Sequence, residues 1–228
     1  MSNLKEQAAH KAVEEIQSGM VVGLGTGSTV FYALQKISHL IKTGELENIV
    51  GIPSSKQTEK IANELGIPLT NFTEHKRIDL TIDGADEVDK YLNLIKGGGG
   101  ALLREKILAQ ASKKLIIIVD ESKLSPKLGK RWGVPIEVIK FAYPIEIEFL
   151  KTLAGEPELR MYDNLDEPVI TDEGNYIIDA NFGTIGNPFE LASKLDSRAG
   201  IVEHGLFLHL ASKVIVASKE GIKIMEKK

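Results

Sequence analysis

Residues 20–42, MVVGLGTGSTVFYALQKISHLIK, run from a short apolar stretch through a glycine-rich turn into a helical pattern. Residues 20–24 read as a strand and 30–42 as a helix with one apolar face. The same order recurs downstream. An apolar run at 49–52 precedes a helical pattern at 56–65, and 78–82, 92–95 and 115–119 read as further buried strands, with a helix at 102–112. Ahead of them, 4–17 sets Ala8, Ala9, Ala12, Val13 and Ile16 at helical spacing and stops at Gly19. Strands alternating with helices predict a mainly parallel sheet covered on both faces.

The pattern changes near 129–133. Residues 135–141 alternate like a strand and 144–153 are helical, with Gly155 after them. Residues 159–162, 169–171 and 176–181 read as strands, the last two joined by Asp172-Glu173-Gly174. Asn187-Pro188 opens a helix that closes by Gly200, and 201–207 is extended again. The order β-α-β-β-α-β is that of a ferredoxin-like plait. Residues 214–217 and the tail then return to the first sheet. The expected fold is therefore α/β: a larger, mainly parallel domain of 1–130 and 205–228, interrupted by a smaller ferredoxin-like α+β domain at 131–204.

Composition narrows the function classes. Of 228 residues 43% are hydrophobic and 26% charged, as in an ordinary globular protein, which argues against a disordered or fibrous chain. A net charge of −4 without a Lys/Arg stripe argues against nucleic acid. The absence of cysteine excludes a disulfide framework, thiol catalysis and cysteine metal sites. The longest apolar run, 115–119, is far short of the roughly 20 residues a spanning helix needs. The start, MSNLKEQAAHKAVEEI, is charged and lacks an apolar core. A cytoplasmic protein with no membrane partner is expected.

Three segments carry chemistry. In Gly23-Leu24-Gly25-Thr26-Gly27-Ser28-Thr29, glycines permit a tight turn and the following helix start binds anions. It fails as a dinucleotide fingerprint, because Ser28 stands where the third glycine belongs and no acid follows the second strand. It fails as a P-loop for want of a lysine. The hydroxyls of Thr26, Ser28 and Thr29 suit a single phosphate. In Asp83-Gly84-Ala85-Asp86-Glu87-Val88-Asp89, four acids sit at the carboxyl end of a strand, where open α/β sheets place ligands. The spacing does not match a calcium loop. Asp83 and Asp86 are the candidates, while Glu87 and Asp89 read as a solvated turn.

The third segment is Lys96-Gly97-Gly98-Gly99-Gly100-Ala101-Leu102-Leu103-Arg104-Glu105-Lys106. Four glycines are entropically costly unless backbone must lie against something. Lys96 can meet an anion. Glu105 has Ala101, Leu102, Leu108 and Ala109 as helical neighbours, all apolar. A carboxylate there is poorly solvated, which raises its pKa and makes it a usable base, unless it is paired with Arg104, Lys106 or another cation. The five histidines are scattered, with no helical metal spacing, and read as structural or surface residues. No metal site is expected.

Taken together, GLGTGST, DGADEVD and KGGGGALLREK, in that order, resemble the type A ribose-5-phosphate isomerase family. The resemblance extends to Asp120-Glu121-Ser122-Lys123, to Leu128-Gly129-Lys130 before Pro135-Ile136-Glu137-Val138, and to the helix at Lys5, so it covers essentially the whole chain. It implies a Rossmann-like domain with a ferredoxin-like lid, and interconversion of ribose 5-phosphate and ribulose 5-phosphate in the pentose phosphate pathway without metal or cofactor. A homodimer or homotetramer is expected. Carried over by position, Thr26, Gly27, Ser28 and Thr29 match the phosphate loop, with Lys5 approaching it. Asp83, Gly84, Ala85 and Asp86 match the acidic substrate loop, and Lys96, Gly97, Gly98 and Gly99 the glycine-rich one. Glu105 matches the proton acceptor and Lys123 a substrate-contacting lysine. Gly100 and Leu102-Leu103 are modest variations that keep Glu105 in register with Lys96.

The competing class is a sugar-phosphate sensor. The residues ahead of Gly23 leave no room for a DNA-reading domain, and a sensor has no need of Glu105. A nicotinamide-dependent dehydrogenase is undercut by the failed fingerprint.

Overall fold

The computed structural model describes residues 3–163 and 165–227. In chain order its elements begin α1 (Leu4–Val13), β1 (Val21–Leu24), α2 (Ser28–Thr43), β2 (Val50–Pro53), α3 (Lys56–Leu65), β3 (Leu80–Asp83), β4 (Glu87–Val88) and β5 (Leu94–Ile95). They continue with α4 (Leu102–Ala111), β6 (Leu115–Asp120), β7 (Val134–Val138), α5 (Tyr143–Thr152), β8 (Glu156–Leu159), β9 (Tyr176–Asn181), α6 (Pro188–Asp196), β10 (Ile201–His204), β11 (Leu206–Phe207), β12 (Lys213–Ser218) and β13 (Gly221–Glu226). The chain divides into two compact units. One holds the chain up to Ala85, Arg104–Lys123 and the segment from His209 on; the other holds Asp86–Leu103 and Leu124–Leu208.

The first unit is built on a six-stranded sheet of order β13-β12-β6-β3-β1-β2. All its pairings are parallel except that of the edge strand β13, which runs antiparallel to β12. Central strands such as β1 and β3 are buried at every position, as near-continuous apolar runs covered on both faces must be. Successive side chains alternate between the faces. Val22, Leu24, Ile82, Ile116 and Ile118 meet the apolar stripes of α1 and α2, while Val21, Ile52 and Ile78 meet Leu108 of α4. From β1 the chain goes to β2 on one side and returns past it to β3 on the other. The boundary between β1 and β3 is thus a topological switch point, the crevice where open α/β sheets bind ligands.

The second unit carries the plait. Its four-stranded antiparallel sheet has the order β10-β7-β9-β8, with α5 and α6 in the two crossovers, which is the ferredoxin-like arrangement. Several expected strands differ in the structure: 159–162 gives way to β8 at Glu156–Leu159, and 201–207 divides between β10 and β11, which lie in different sheets. Residues 92–95 do not join the parallel sheet. Leu92 has φ 63° and its N–H closes a turn on Asp89, so only β5 is extended, in a three-stranded sheet with β4 and β11. Residues 169–171 keep one bridge, Ile170 to Tyr176, because Thr171 serves the turn through Gly174 and Asn175. The strand expected at 135–141 ends at Val138. Helix α1 likewise ends at Val13, short of the expected Gly19. Among the described residues no helix is long and apolar enough to cross a membrane.

One strand carries a buried acid. Glu137, in the middle of β7, lies opposite Glu203 of β10 and accepts hydrogen bonds from Thr171 Oγ1 at 2.8 Å and Asn175 Nδ2 at 2.9 Å. Burial pushes its carboxyl above the ordinary range, Glu173 and Glu203 add to the rise, and the Asn175 and Thr171 bonds oppose it. The folded chain therefore holds this proton more tightly than the unfolded one. Its stabilising contribution is complete below the ordinary carboxylate value and is lost as pH rises through the higher folded value. Glu137→Gln, which keeps the accepting oxygen, should gain thermal stability relative to the parent as pH rises from about 4 to 7. A difference in Tm that stays flat over this range would contradict the assignment.

Candidate active site

In the first unit the glycine turn leaves β1 at the switch point and enters α2 with its exposed Gly27 and Ser28. Gly25 lies so close to β3 that a Cβ there would come 2.2 Å from Asp83 Oδ1, which is why no other residue fits. Asp83, 1% exposed, uses that oxygen to accept the Thr26 N–H at 3.2 Å and the Gly84 N–H at 2.8 Å. It thus ties the glycine turn to the start of the acidic segment. The Thr26 hydroxyl faces inward, 2.7 Å from Ser54 Oγ, 2.8 Å from Ser55 Oγ and 3.0 Å from Thr58 Oγ1. Thr58 Oγ1 in turn donates to the Gly25 carbonyl at 2.8 Å.

Lys5 approaches from α1 and donates from Nζ to Ser28 Oγ at 2.8 Å. Its helix is fixed by Asn3, which caps the Lys5 N–H at 3.1 Å and donates to the Tyr32 hydroxyl at 2.6 Å. A cavity of about 650 Å³ opens here, lined by Lys5, Gly25, Gly27, Ser28, Tyr32 and Thr58 among others. A lysine ammonium, hydroxyls and the N-terminus of a 16-residue helix converge on it. Such a set of donors suits an oxyanion.

Glu105 stands in the first turn of α4, 5% exposed, with Oε2 sealed from solvent. Its helical neighbours Ala101, Leu102, Leu108 and Ala109 are buried too. Lys106, next in the chain, is also buried. Lys123 is half-buried at the end of the short 3₁₀ turn Glu121–Lys123 that follows β6.

In the second unit Asp86 accepts the Gly98 N–H at 2.8 Å on Oδ2, and a Cβ at Gly98 would come 2.8 Å from Asp86 Oδ1. The acidic and glycine-rich segments are thereby locked together. Lys96, 2% exposed, donates its backbone N–H to Gly205 and holds Nζ 5.4 Å from the centre of the Phe207 ring. Gly97 (φ 104°) and Gly100 (φ 79°) take the left-handed conformations of a turn closed by the Gly100 N–H on the Gly97 carbonyl, which leaves Gly98 and Gly99 exposed. Gly84, Ala85 and Asp86 are half-buried.

The family model described as Ribose 5-phosphate isomerase A (phosphoriboisomerase A) matches residues 50–221. The chain belongs to the ribose 5-phosphate isomerase A family. A ribose-5-phosphate isomerase A of Desulfatibacillum aliphaticivorans is 56% identical over 223 residues, covering 98% of this chain and 96% of that protein. The solved ribose 5-phosphate isomerase of Plasmodium falciparum superposes with a TM-score of 0.95 at 45% identity, over 100% of both chains. A D-ribose-5-phosphate isomerase solved in complex with phospho-erythronic acid gives a TM-score of 0.95 at 44% identity, over 98% of this chain and 97% of that one. The family match begins at residue 50, after Lys5 and the glycine turn; the whole-chain relatives cover those as well.

Membership in this family does not hide what the sequence missed. Glu87 and Asp89 are buried organisers, not a solvated turn. Glu87 accepts the backbone N–H groups of Gly129 at 3.0 Å, Arg131 at 3.3 Å and Trp132 at 3.2 Å. Asp89 accepts those of Tyr91 at 2.8 Å and Asn93 at 2.9 Å. Ser54, Ser55 and Thr58 belong to no motif of the sequence; their signal is a run of hydroxyls directly after a strand that neighbours β1. Asp196, Glu203 and His204 gather ligand-type atoms within 4.8 Å of one another. His204 Nδ1 accepts the Leu206 N–H at 3.2 Å, which puts the ring proton on Nε2, 3.1 Å from Asp196 Oδ1. That arrangement forms a hydrogen-bond relay from the Leu206 N–H through His204 to Asp196.

Proposed function

We propose that the chain interconverts D-ribose 5-phosphate and D-ribulose 5-phosphate through an enediolate, as a cytoplasmic homo-oligomer that needs neither metal nor nicotinamide. The observation that carries this reading is Glu105: a carboxylate buried among apolar neighbours on α4, in a chain of this family. Isomerisation removes the proton on carbon 2 and returns one to carbon 1. The two carbons are adjacent, so one positioned carboxylate can serve both transfers, a role worth roughly 10² to 10⁴ in rate. Lys5, Gly27, Ser28 and Thr29 take the phosphate in the cavity at the head of α2, with Thr26 holding the turn from inside. Binding energy from this remote group positions the reacting carbons.

Lys96 and the backbone N–H groups of Gly97, Gly98 and Gly99 are assigned to the negative charge that grows on the substrate oxygen. Asp83 and Asp86, with Gly84 and Ala85 between them, are assigned to the sugar hydroxyls and to ring opening, and Lys123 to a further substrate contact. The phospho-erythronic acid named with one relative pairs a phosphate with a carboxylate, whose two oxygens can stand in for the anionic oxygens of an enediolate phosphate. Residues 131–204, which hold the four-stranded antiparallel sheet, are assigned the part of a lid domain, and 1–130 with 205–228 that of a catalytic domain.

The test is a direct isomerase assay with ribose 5-phosphate and with free ribose, before and after exhaustive EDTA treatment. Turnover of the phosphate ester should survive chelation without added nicotinamide, and Ser28→Ala should mainly raise KM for the ester. Loss of activity on chelation, restored by a divalent ion, would sink the metal-free mechanism. A Ser28→Ala protein that prefers the ester to ribose as sharply as the parent would remove this turn from the phosphate site.

A further inference from the structure

We propose that Arg160, locked by Asp179, is a positioning residue for the isomerisation: it sets the peptide groups of the glycine-rich turn and so aims the Gly99 N–H. This rests on the reading of that turn as a substrate loop. Arg160 follows β8 directly, and its backbone is pinned on both sides. Its N–H donates to the Ile177 carbonyl and its own carbonyl accepts the Val169 N–H, each at 2.8 Å. The side chain, 16% exposed, is fixed in turn by Asp179 of β9, with Nε 2.7 Å from Oδ2 and Nη2 2.5 Å from Oδ1. A planar guanidinium held in this two-point grip has no freedom left to swing.

Its remaining arm reaches the glycine turn. Nη1 donates to the Gly97 carbonyl at 2.9 Å and to the Gly98 carbonyl at 3.2 Å. In a trans peptide the C=O and N–H point in opposite directions. The Gly97–Gly98 peptide is therefore held at both ends, by Arg160 on the oxygen and Asp86 on the N–H. The Gly98–Gly99 peptide has its oxygen on Arg160, which turns the Gly99 N–H away from the guanidinium. Four successive glycines would otherwise sample many peptide orientations, and fixing them in advance removes that cost from the reaction. A carbonyl that accepts from a cation is also polarised, which strengthens the N–H of its own peptide as a donor. With its charge matched by Asp179, Arg160 acts on the loop's geometry and leaves the charge chemistry to other groups.

Steady-state kinetics and thermal midpoints of Arg160→Met, Arg160→Lys, Asp179→Asn and Lys96→Ala test this. A donor aimed at developing charge matters most in the transition state, so Arg160→Met should lose roughly ten- to a hundredfold in kcat with a smaller change in KM. Arg160→Lys should recover part of that loss, since an ammonium can reach one carbonyl but lacks the fork for both. Asp179→Asn should lose less, in the same direction. A folded Arg160→Met protein with parental kcat, or one impaired in KM alone, would overturn the proposal. If Arg160→Met does not fold, parental kcat in folded Asp179→Asn overturns it equally. Lys96→Ala separates the two levels of the argument. Impairment there with normal Arg160 and Asp179 variants defeats the positioning role alone, whereas normal kinetics in Lys96→Ala as well defeats the reading of the turn.

Discussion

Glu105→Gln should fold, bind ribose 5-phosphate and turn it over at least about a hundredfold more slowly than the parent, the lower end of what a positioned base supplies. The amide keeps the shape and one accepting oxygen, so the packing around Ala101, Leu102, Leu108 and Ala109 has no reason to change. What it lacks is a site that can take up a proton from carbon. Exchange of the carbon-bound proton with deuterated water should stop together with turnover. A tight site that bound substrate without the base would show KM nearly unchanged and kcat depressed. Retention of more than about a tenth of the parental rate would move the base to Asp83 or Asp86 and leave Glu105 as a buried structural carboxylate.

Asp83 makes the comparison informative because its carboxylate already has a structural task, holding the N–H groups of Thr26 and Gly84. Asp83→Asn keeps the one oxygen that accepts both N–H groups and loses the charge, so its defect should lie mainly in ring opening. An open-chain substrate analogue bypasses ring opening and should partly relieve Asp83→Asn while doing nothing for Glu105→Gln.

Most of the first unit could be read directly, because its strands are short apolar runs between helices of clear period. Residues 56–65 show why: Ser55 caps the Thr58 N–H, Gly66 closes the end in the left-handed conformation, and the expected helix and α3 coincide. Glu105 was legible for a related reason, since helical spacing alone fixes which residues surround it. The acidic segment was not. One charge after another in DGADEVD looks solvated, and nothing local reveals that Glu87 will meet Gly129, Arg131 and Trp132, more than 40 residues on. Arg160 was silent for the same reason: its partners Asp179 and Gly97 are brought to it by sheet pairing and chain return, not by spacing. Residues 92–95 failed in the opposite direction. Apolarity was right there, but a left-handed Leu92 turned burial into a turn rather than a strand.

Glu87→Ala should be the most destabilising of these changes, by about 3–5 kcal/mol, the lower part of what three buried N–H donors cost when they lose their acceptor. The carboxylate is fully buried and is the acceptor for three backbone N–H groups at the 129–132 turn. Each buried donor left without it costs about 1–3 kcal/mol, whereas the bond itself is worth less in net terms. Arg131 and Trp132 carry exposed side chains, so water can reach part of the turn and the full sum is not expected. Against a total stability of about 5–15 kcal/mol this remains a large fraction. Glu87→Gln keeps one accepting oxygen and loses the charge assistance, which places it between the parent and the alanine variant. Chemical denaturation reads the difference as a lower midpoint at unchanged slope. The turn itself gives a second readout. Lys130 and Arg131 are trypsin sites within the segment Glu87 holds, so cleavage there should accelerate in Glu87→Ala before global unfolding does. A loss below about 1 kcal/mol with the turn still resistant to trypsin would mean that water or the neighbouring backbone, and not Glu87, satisfies those N–H groups.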